Sequence, residues 1–222
     1  MSKLYVVSTP IGNLGDVSSR ALEILRSVNF ILCEDTRVTK KLLNFYQIST
    51  PLISYHQHTK LNKIDKILEL LARGNDLALV SDAGTPGISD PGNKLIEEIV
   101  VKIPEVKIEP IPGPSAVTAL ASVSGFFTDK FIFLGFPPMK KKRKAFFQEV
   151  VDSKYSVIFY ESPYRIIKSL EELKQVNPNL KIVVGRELTK KFETIYRGTV
   201  AEVLEKIIPE QQRGEFVIAV SK

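Results

Sequence analysis

The chain has 222 residues, 44% of them hydrophobic and 25% charged, with one cysteine and a net charge of +6. That length forms one large or two small domains with real cores, and the composition is that of a globular protein. A lone Cys33 excludes an internal disulfide. No apolar run reaches the ~18 residues of a membrane helix. MSKLYVVSTP lacks the long apolar stretch of a signal peptide, so a cytoplasmic protein without a membrane partner is expected.

The first half alternates strand and helix. LYVVS reads as a strand. DVSSRALEILRSV then sets Ala21, Leu22, Leu25 and Val28 on one helical stripe, with Asp16 as the expected cap. Strand FILCE, a helix from about Thr36 to Tyr46 and strand PLISY follow. KLNKIDKILELLARG places Leu61, Ile64, Ile67, Leu68 and Leu71 on one stripe and stops at Gly74. Strand DLALVS comes next. Asp90 and Pro91 then mark the cap and first turn of helix PGNKLIEEIVV, and strand VKIEPI ends the half. Such βα units with wholly apolar strands imply a parallel sheet covered on both faces.

IPGPS, from Ile111 to Ser115, interrupts this pattern. Beyond it lie strand KFIFLGF, helix RKAFFQEVV, strand SVIFYES, helix PYRIIKSLEELKQV, strands LKIVVGREL and FETIYRG, helix TVAEVLEKII and strand EFVIAVS. Two consecutive strands imply a mixed sheet. Two α/β domains are therefore expected: residues 1–112, with a mostly parallel sheet, and residues 115–222, with a mixed one. Charge divides in the same place. Residues 1–113 balance 13 Lys and Arg against 13 Asp and Glu, so the whole excess lies in the second half, which suits a polyanionic partner.

Four Gly/Pro loops follow strands: STPIGNLGD, DAGTPGISDPG, IPGPSA and LGFPP. Glycines let a backbone turn sharply and let a ligand approach it closely, and in open α/β sheets the carboxyl ends of strands are where ligands sit. Gly87 and Gly92 have the gap of a phosphate loop, but Asn93 stands where that loop needs lysine. STPIGNLGD lacks the first glycine of the dinucleotide fingerprint. A backbone-lined pocket for a neutral or cationic ligand is the expectation, against tight turns that hold nothing.

In order and spacing, STPIGNLGD, CEDTR, SDAGTPGISDPG, IPGPSA, FYESPYR and GRELTKKFET resemble the tetrapyrrole methylase superfamily. Within it, CEDTR and DAGTPGISDPG resemble the branch that methylates small-subunit ribosomal RNA. The likeness spans nearly the whole chain. Thr59 stands where that branch usually has Asn, and Thr194 where it often has a second Glu. The resemblance implies a homodimeric class III methyltransferase that binds S-adenosyl-L-methionine in a cleft between its domains. The product would be a 2′-O-methylated cytidine in small-subunit (16S) ribosomal RNA, with free RNA or the assembled 30S subunit as partner. It places cofactor contacts at Ile11, at Gly84, Thr85 and Ile88, and at Ser115 and Ala116. In the second domain it places them at Tyr160, Leu188, Gly214 and Phe216. The alternatives are a methylase of the same fold acting on a small molecule such as a tetrapyrrole, and an RNA-binding protein without activity.

Methyl transfer to a ribose hydroxyl needs a base or a nearby cation. Asp35 and Arg37 of CEDTR, Glu161 of FYESPYR and Glu187 of GRELTKK, all at strand ends, are the catalytic candidates. For Glu34 and Arg197 an ordinary ion pair is the better expectation. Lys140, Lys141, Lys142, Arg143 and Lys144 form one cationic run suited to RNA phosphates, with Arg186 and Lys190 as further RNA contacts and His56 as a contact to RNA or the cofactor rim. His56 and His58 are the only histidines and lack the further ligands a metal needs, so no metal is expected.

Overall fold

The computed structural model describes residues 2–56, 61–207 and 213–222. The chain divides into two compact units, Met1–Ser115 and Ala116–Lys222. In the first unit the strands are β1 (Lys3–Val7), β2 (Phe30–Cys33), β3 (Leu52–Ser54), β4 (Leu77–Leu79) and β5 (Lys107–Ile111). They pair in the order β3-β2-β4-β1-β5, every pairing parallel. Successive residues of a strand point to opposite faces, so the apolar β2 and β4 and the apolar residues of β1 feed two cores. Tyr5, Val7, Ile31, Cys33 and Ala78 pack on one side with residues of α1 (Ser19–Ser27) and α2 (Thr36–Phe45). Leu4, Leu32, Leu77 and Leu79 pack on the other with residues of α3 (Leu61–Ala72) and α4 (Asn93–Lys102). Each Leu or Ile fully buried in this way contributes about 1.5–3 kcal/mol of apolar transfer.

Two helix starts differ from the expectation. Ser18, not Asp16, caps α1, its side chain accepting from the Ala21 N–H at 3.1 Å, because Asp16 is used up in a 3₁₀ turn, Leu14–Asp16, capped by Asn13. At α4 the cap is Gly92 with φ +149°, and no side chain caps it. The helix begins two residues later than Asp90-Pro91 suggests, which lengthens the preceding glycine loop.

The second unit holds β6 (Phe131–Phe133), β7 (Ser156–Glu161), β8 (Lys181–Arg186), β9 (Thr194–Thr199) and β10 (Phe216–Val220), in the order β6-β7-β10-β8-β9. Only β6–β7 is parallel, so the sheet is mixed. Residues of α6 (Arg143–Asp152), α7 (Ile166–Val176) and α8 (Val200–Lys206) bury one face around Phe147, Phe159, Leu170 and Ile218. α5 (Ala116–Ser124) packs against β7, β8 and β10. Gly185 of β8 makes room for it: a β-carbon there would lie 2.9 Å from the Leu120 side chain.

Candidate active site

Strand order in the first unit decides which loops are neighbours. β4, β1 and β5 are adjacent and parallel, so the loops leaving their carboxyl ends must lie side by side. These loops span residues 80–92, 8–15 and 112–115. Thr9 and Gly84 exchange backbone hydrogen bonds of 2.9 and 3.0 Å. The Ser8 and Thr85 hydroxyls share a 2.8 Å bond, and Thr85 Oγ1 reaches the Pro114 carbonyl at 3.4 Å. Gly84 is left-handed, φ +81°, with its missing β-carbon aimed at the Ile11 side chain, 3.4 Å away. Asn93 closes the loop by donating to the Gly87 carbonyl at 3.1 Å. Ile11, Gly84 and Thr85 are thus brought together, Ser115 directly follows Pro114, and Ile88 is exposed further along the same loop. None of the three loops contains Lys or Arg, whereas Asp82 and Asp90 flank the glycines. A surface rich in hydroxyls and carbonyls, with carboxylates and no cation, fits the sulfonium and ammonium of S-adenosylmethionine and does not fit a phosphate.

The other half of the edge, over β3-β2-β4, is ionisable. Glu34, Asp35, Thr36, Arg37, Ser54, His56 and Asp82 line a recess of about 410 Å³. Asp35 caps α2 by accepting from the Arg37 N–H at 2.8 Å, and its carboxylate holds Arg37 Nη2 at 2.6 Å. These bonds lower the Asp35 carboxyl to about 2. So weak a base cannot take a proton near neutrality, which makes Asp35 the anchor of Arg37, whose side chain is 87% exposed. Glu34 behaves oppositely: burial first and then the Asp82 carboxylate push its carboxyl up, His56 opposes them, and Asp35 adds a smaller push. Among the described residues Glu34 makes no ion pair. His56 Nε2 lies 2.8 Å from Ser54 Oγ; His58 and Thr59 fall outside the described residues. Ser54 and Asp82 were not expected in this recess, although Asp82 stands at the head of the glycine loop and was legible as its first ionisable residue.

In the second unit two candidates change role. Glu161 is 1% exposed, and its carboxylate meets Arg165 Nη2 at 2.9 Å, Arg143 Nη2 at 3.5 Å and the Ser169 hydroxyl. A side chain so enclosed has no route to a reacting hydroxyl. Arg143, expected among the phosphate contacts, is likewise buried, donating to Glu172 Oε2 at 2.7 Å and to Ser169 Oγ at 2.6 Å. Lys140, Lys141, Lys142 and Lys144 remain exposed. Arg186, expected among the RNA contacts, is buried, donating from Nε and Nη1 to the Arg213 and Phe192 carbonyls at 2.8 and 3.3 Å, and it lines the recess beside Glu187.

Glu187 has φ +51° and holds Lys190 Nζ at 2.9 Å. Burial would raise its carboxyl, but Lys190 and the Glu215 N–H outweigh that and keep it below the usual range. A β-carbon on Gly214 would come within 2.5 Å of the Glu187 side chain. Glu187 and Gly214 line a recess of about 610 Å³ together with Lys191, Arg213 and the exposed Phe192. Tyr160 stacks edge-on against Phe133 at 4.9 Å, while Leu188 is buried and Phe216 belongs to the core. Phe216 therefore has only its backbone to offer a ligand.

No described helix is long and apolar enough to cross a membrane. The sequence matches the family model of Tetrapyrrole (Corrin/Porphyrin) Methylases over residues 3–204. It is 45% identical to the Ribosomal RNA small subunit methyltransferase I of Hydrogenobaculum sp. (strain Y04AAS1), across 99% of this chain and 96% of that one. It is also 45% identical to the protein of the same name in Mycoplasmopsis pulmonis (strain UAB CTIP), across 98% and 97%. Among solved structures it resembles the methyltransferase CobJ, with a TM-score of 0.72 at 20% identity, over 100% of this chain and 95% of that one. That likeness bears on the fold alone.

Proposed function

The chain belongs to the tetrapyrrole (corrin/porphyrin) methylase family, and we propose that it methylates the 2′-hydroxyl of a cytidine in small-subunit ribosomal RNA. The observation that carries this reading is the shared β4 loop. Its Gly84 and Thr85 join the cation-free loops over β4-β1-β5, and its Asp82, two residues earlier, lines the ionisable recess over β3-β2-β4. A cofactor and a hydroxyl can thus be presented to one another by a single unit of backbone. The names of relatives 45% identical over nearly their full length supply the substrate class.

S-adenosylmethionine, when bound, supplies an electrophilic methyl group on a sulfonium. The part of the chain is positioning and proton handling. The Thr85 and Pro114 oxygens face a positive charge, the buried Ser8 hydroxyl holds Thr85 in place, and Ile88 offers apolar contact. Arg37, held on its Nε–Nη2 edge by Asp35, keeps Nη1 for an RNA phosphate. Glu34, with its raised carboxyl, takes the ribose proton, an effect worth roughly 10²–10⁴-fold in rate. Lys140, Lys141, Lys142 and Lys144 add RNA affinity. Cytoplasmic location and assembly as a homodimer, checked by sedimentation, belong to the same proposal.

The test is transfer of tritiated methyl from S-adenosylmethionine to undermethylated small subunits, followed by alkaline hydrolysis. Label in an alkali-resistant dinucleotide beginning with cytidine is expected, because a 2′-O-methyl group blocks cleavage at that ribose. Label released as an ordinary nucleotide would overturn the ribose assignment. Label absent from the RNA would overturn the substrate class.

A further inference from the structure

Pro137 and Pro138 precede the lysine run and carry no N–H, so this stretch cannot be tied down by its own backbone donors. Two arginines hold it by its carbonyls instead. Arg165 Nη1 donates to the Pro137 carbonyl at 3.1 Å, and Arg143 Nη1 donates to the Pro138 carbonyl at 3.2 Å. Both guanidiniums converge on the buried carboxylate of Glu161, Arg165 at 2.9 Å and Arg143 both at 3.5 Å and through Ser169. Arg143 also stacks over the Phe147 ring at 5.1 Å. The buried Glu161 carboxylate and Arg143 guanidinium are costly to enclose unless satisfied; Glu172 at 2.7 Å also satisfies Arg143, and the partly exposed Arg165 completes the set around Glu161, so the cluster holds one arrangement. Directly beyond it, Lys142 adopts φ +66° at the start of α6, and Lys140, Lys141 and Lys142 stand in solvent.

We propose that Glu161 is a positioning residue: acting through Arg143 and Arg165, it presents Lys140–Lys142 as a preformed grip for the phosphates of the RNA substrate. A preformed grip loses less conformational freedom on binding than a loose tail of the same charge. The buried anion therefore sets substrate affinity and leaves the methyl-transfer step alone. The identity of the polyanion rests on the ribosomal RNA reading; the ordering of the loop does not.

Glu161→Gln keeps the shape and removes the charge. Trypsin cleavage within 140–142 is expected to quicken at least about tenfold in this variant, while the rest of the chain resists as before. In methyl transfer to small subunits, KM for the RNA is expected to rise about fivefold or more, with kcat within about twofold and S-adenosylmethionine affinity unchanged by calorimetry. Combining it with Lys140→Gln, Lys141→Gln and Lys142→Gln should give no larger KM than the triple lysine variant alone, since a grip without cations has nothing left to position. Should Glu161→Gln fail to fold, Arg165→Lys keeps the cation but removes the planar fork, and it takes the same measurements. Unchanged cleavage within 140–142 overturns the clamp. Faster cleavage with an unchanged KM, a loss in kcat instead of KM, or additive effects in the combined variant each overturn its role in binding. A wild-type protein that leaves small-subunit RNA unmethylated defeats the substrate reading while the cleavage result still stands or falls by itself.

Discussion

The hydroxyls of Ser8 and Thr85 lie 2.8 Å apart although 77 positions separate them in the chain. The bond links loops that leave β1 and β4, and Thr85 also reaches the Pro114 carbonyl beyond β5. Three adjacent strands thereby deliver three glycine loops to one place, with Gly84 at their centre. Gly84→Val forces a β-branched residue into the left-handed region, at a cost of roughly 1–2 kcal/mol. It also drives a side chain toward Ile11 and Pro114. Calorimetry should then detect no S-adenosylmethionine binding while circular dichroism stays native; unchanged affinity would remove this loop from the cofactor site.

Asp35 and Glu34 are neighbours in sequence with opposite proton affinities. Asp35 has its carboxyl lowered to about 2, so the stability it contributes is present above the ordinary aspartate range, ~3.9, and is lost only as pH falls toward 2. Its pair with Arg37 therefore persists across any working pH. Glu34 is raised, so any native-state preference for its protonated form is present below the unfolded value, ~4.3, and disappears as pH rises through the folded value. In activity, wild type should lose kcat/KM as pH falls through the raised Glu34 value. Glu34→Gln should lower kcat by roughly 10²-fold or more and abolish that acid limb. An intact limb in the Gln variant would place the base elsewhere.

Arg37→Ala should cut methylation at least about tenfold, a loss of ~1.4 kcal/mol of transition-state stabilisation. Cofactor affinity should hardly change, because the residue lies on the β2 side of the shared loop. Asp35→Asn should lose part of the same activity, since the guanidinium then lacks its anchor. Full turnover in both variants would reduce the pair to a helix cap.

Glu187 and Gly214 are matched: the left-handed Glu187 occupies the space a β-carbon on Gly214 would take, 2.5 Å away. Gly214→Ala must displace Glu187 and its bond to Lys190, so a drop in activity of about tenfold or more is expected, with the fold kept. Lowered in the native state, Glu187 contributes stability above ~4.3 that is lost as pH falls through its folded value. Glu187→Gln should accordingly flatten part of the acid-side decline in Tm. A Tm profile indistinguishable from wild type would mean the pair adds nothing to the native state.

Replacing Lys140, Lys141 and Lys142 by Gln should flatten the plot of log RNA affinity against log salt. The slope should change by about 0.7–0.9 for each phosphate no longer neutralised, so roughly 1.5–2.5 where two or three phosphates are lost. Adding Arg143 to the set should damage folding instead of extending this change, because that side chain is a buried partner of Glu161 and Glu172. An unaltered slope for the triple variant would move the RNA surface elsewhere in the basic half.

Periodicity and strand composition determined, from the sequence by itself, that the chain builds a parallel sheet followed by a mixed one, and that its loops after β1, β4 and β5 are glycine-rich. These are local properties: which residues alternate, which recur at helical spacing, which glycines bend a backbone. The order β3-β2-β4-β1-β5 is not local, and it alone makes the Ser8, Gly84 and Pro114 loops neighbours and splits the carboxyl edge into a cation-free half and an ionisable half. Charge was legible only as charge. LysLysLysArgLys reads as five equivalent cations, and only tertiary packing turns Arg143 inward, because Glu161, Ser169 and Glu172 lie far along the chain on β7 and α7. Proton affinity likewise belongs to surroundings and not to residue type. Glu34 and Asp35 differ by one methylene in sequence, and by burial against an arginine partner in the folded protein, which is why the first is pushed toward holding a proton and the second is kept from it.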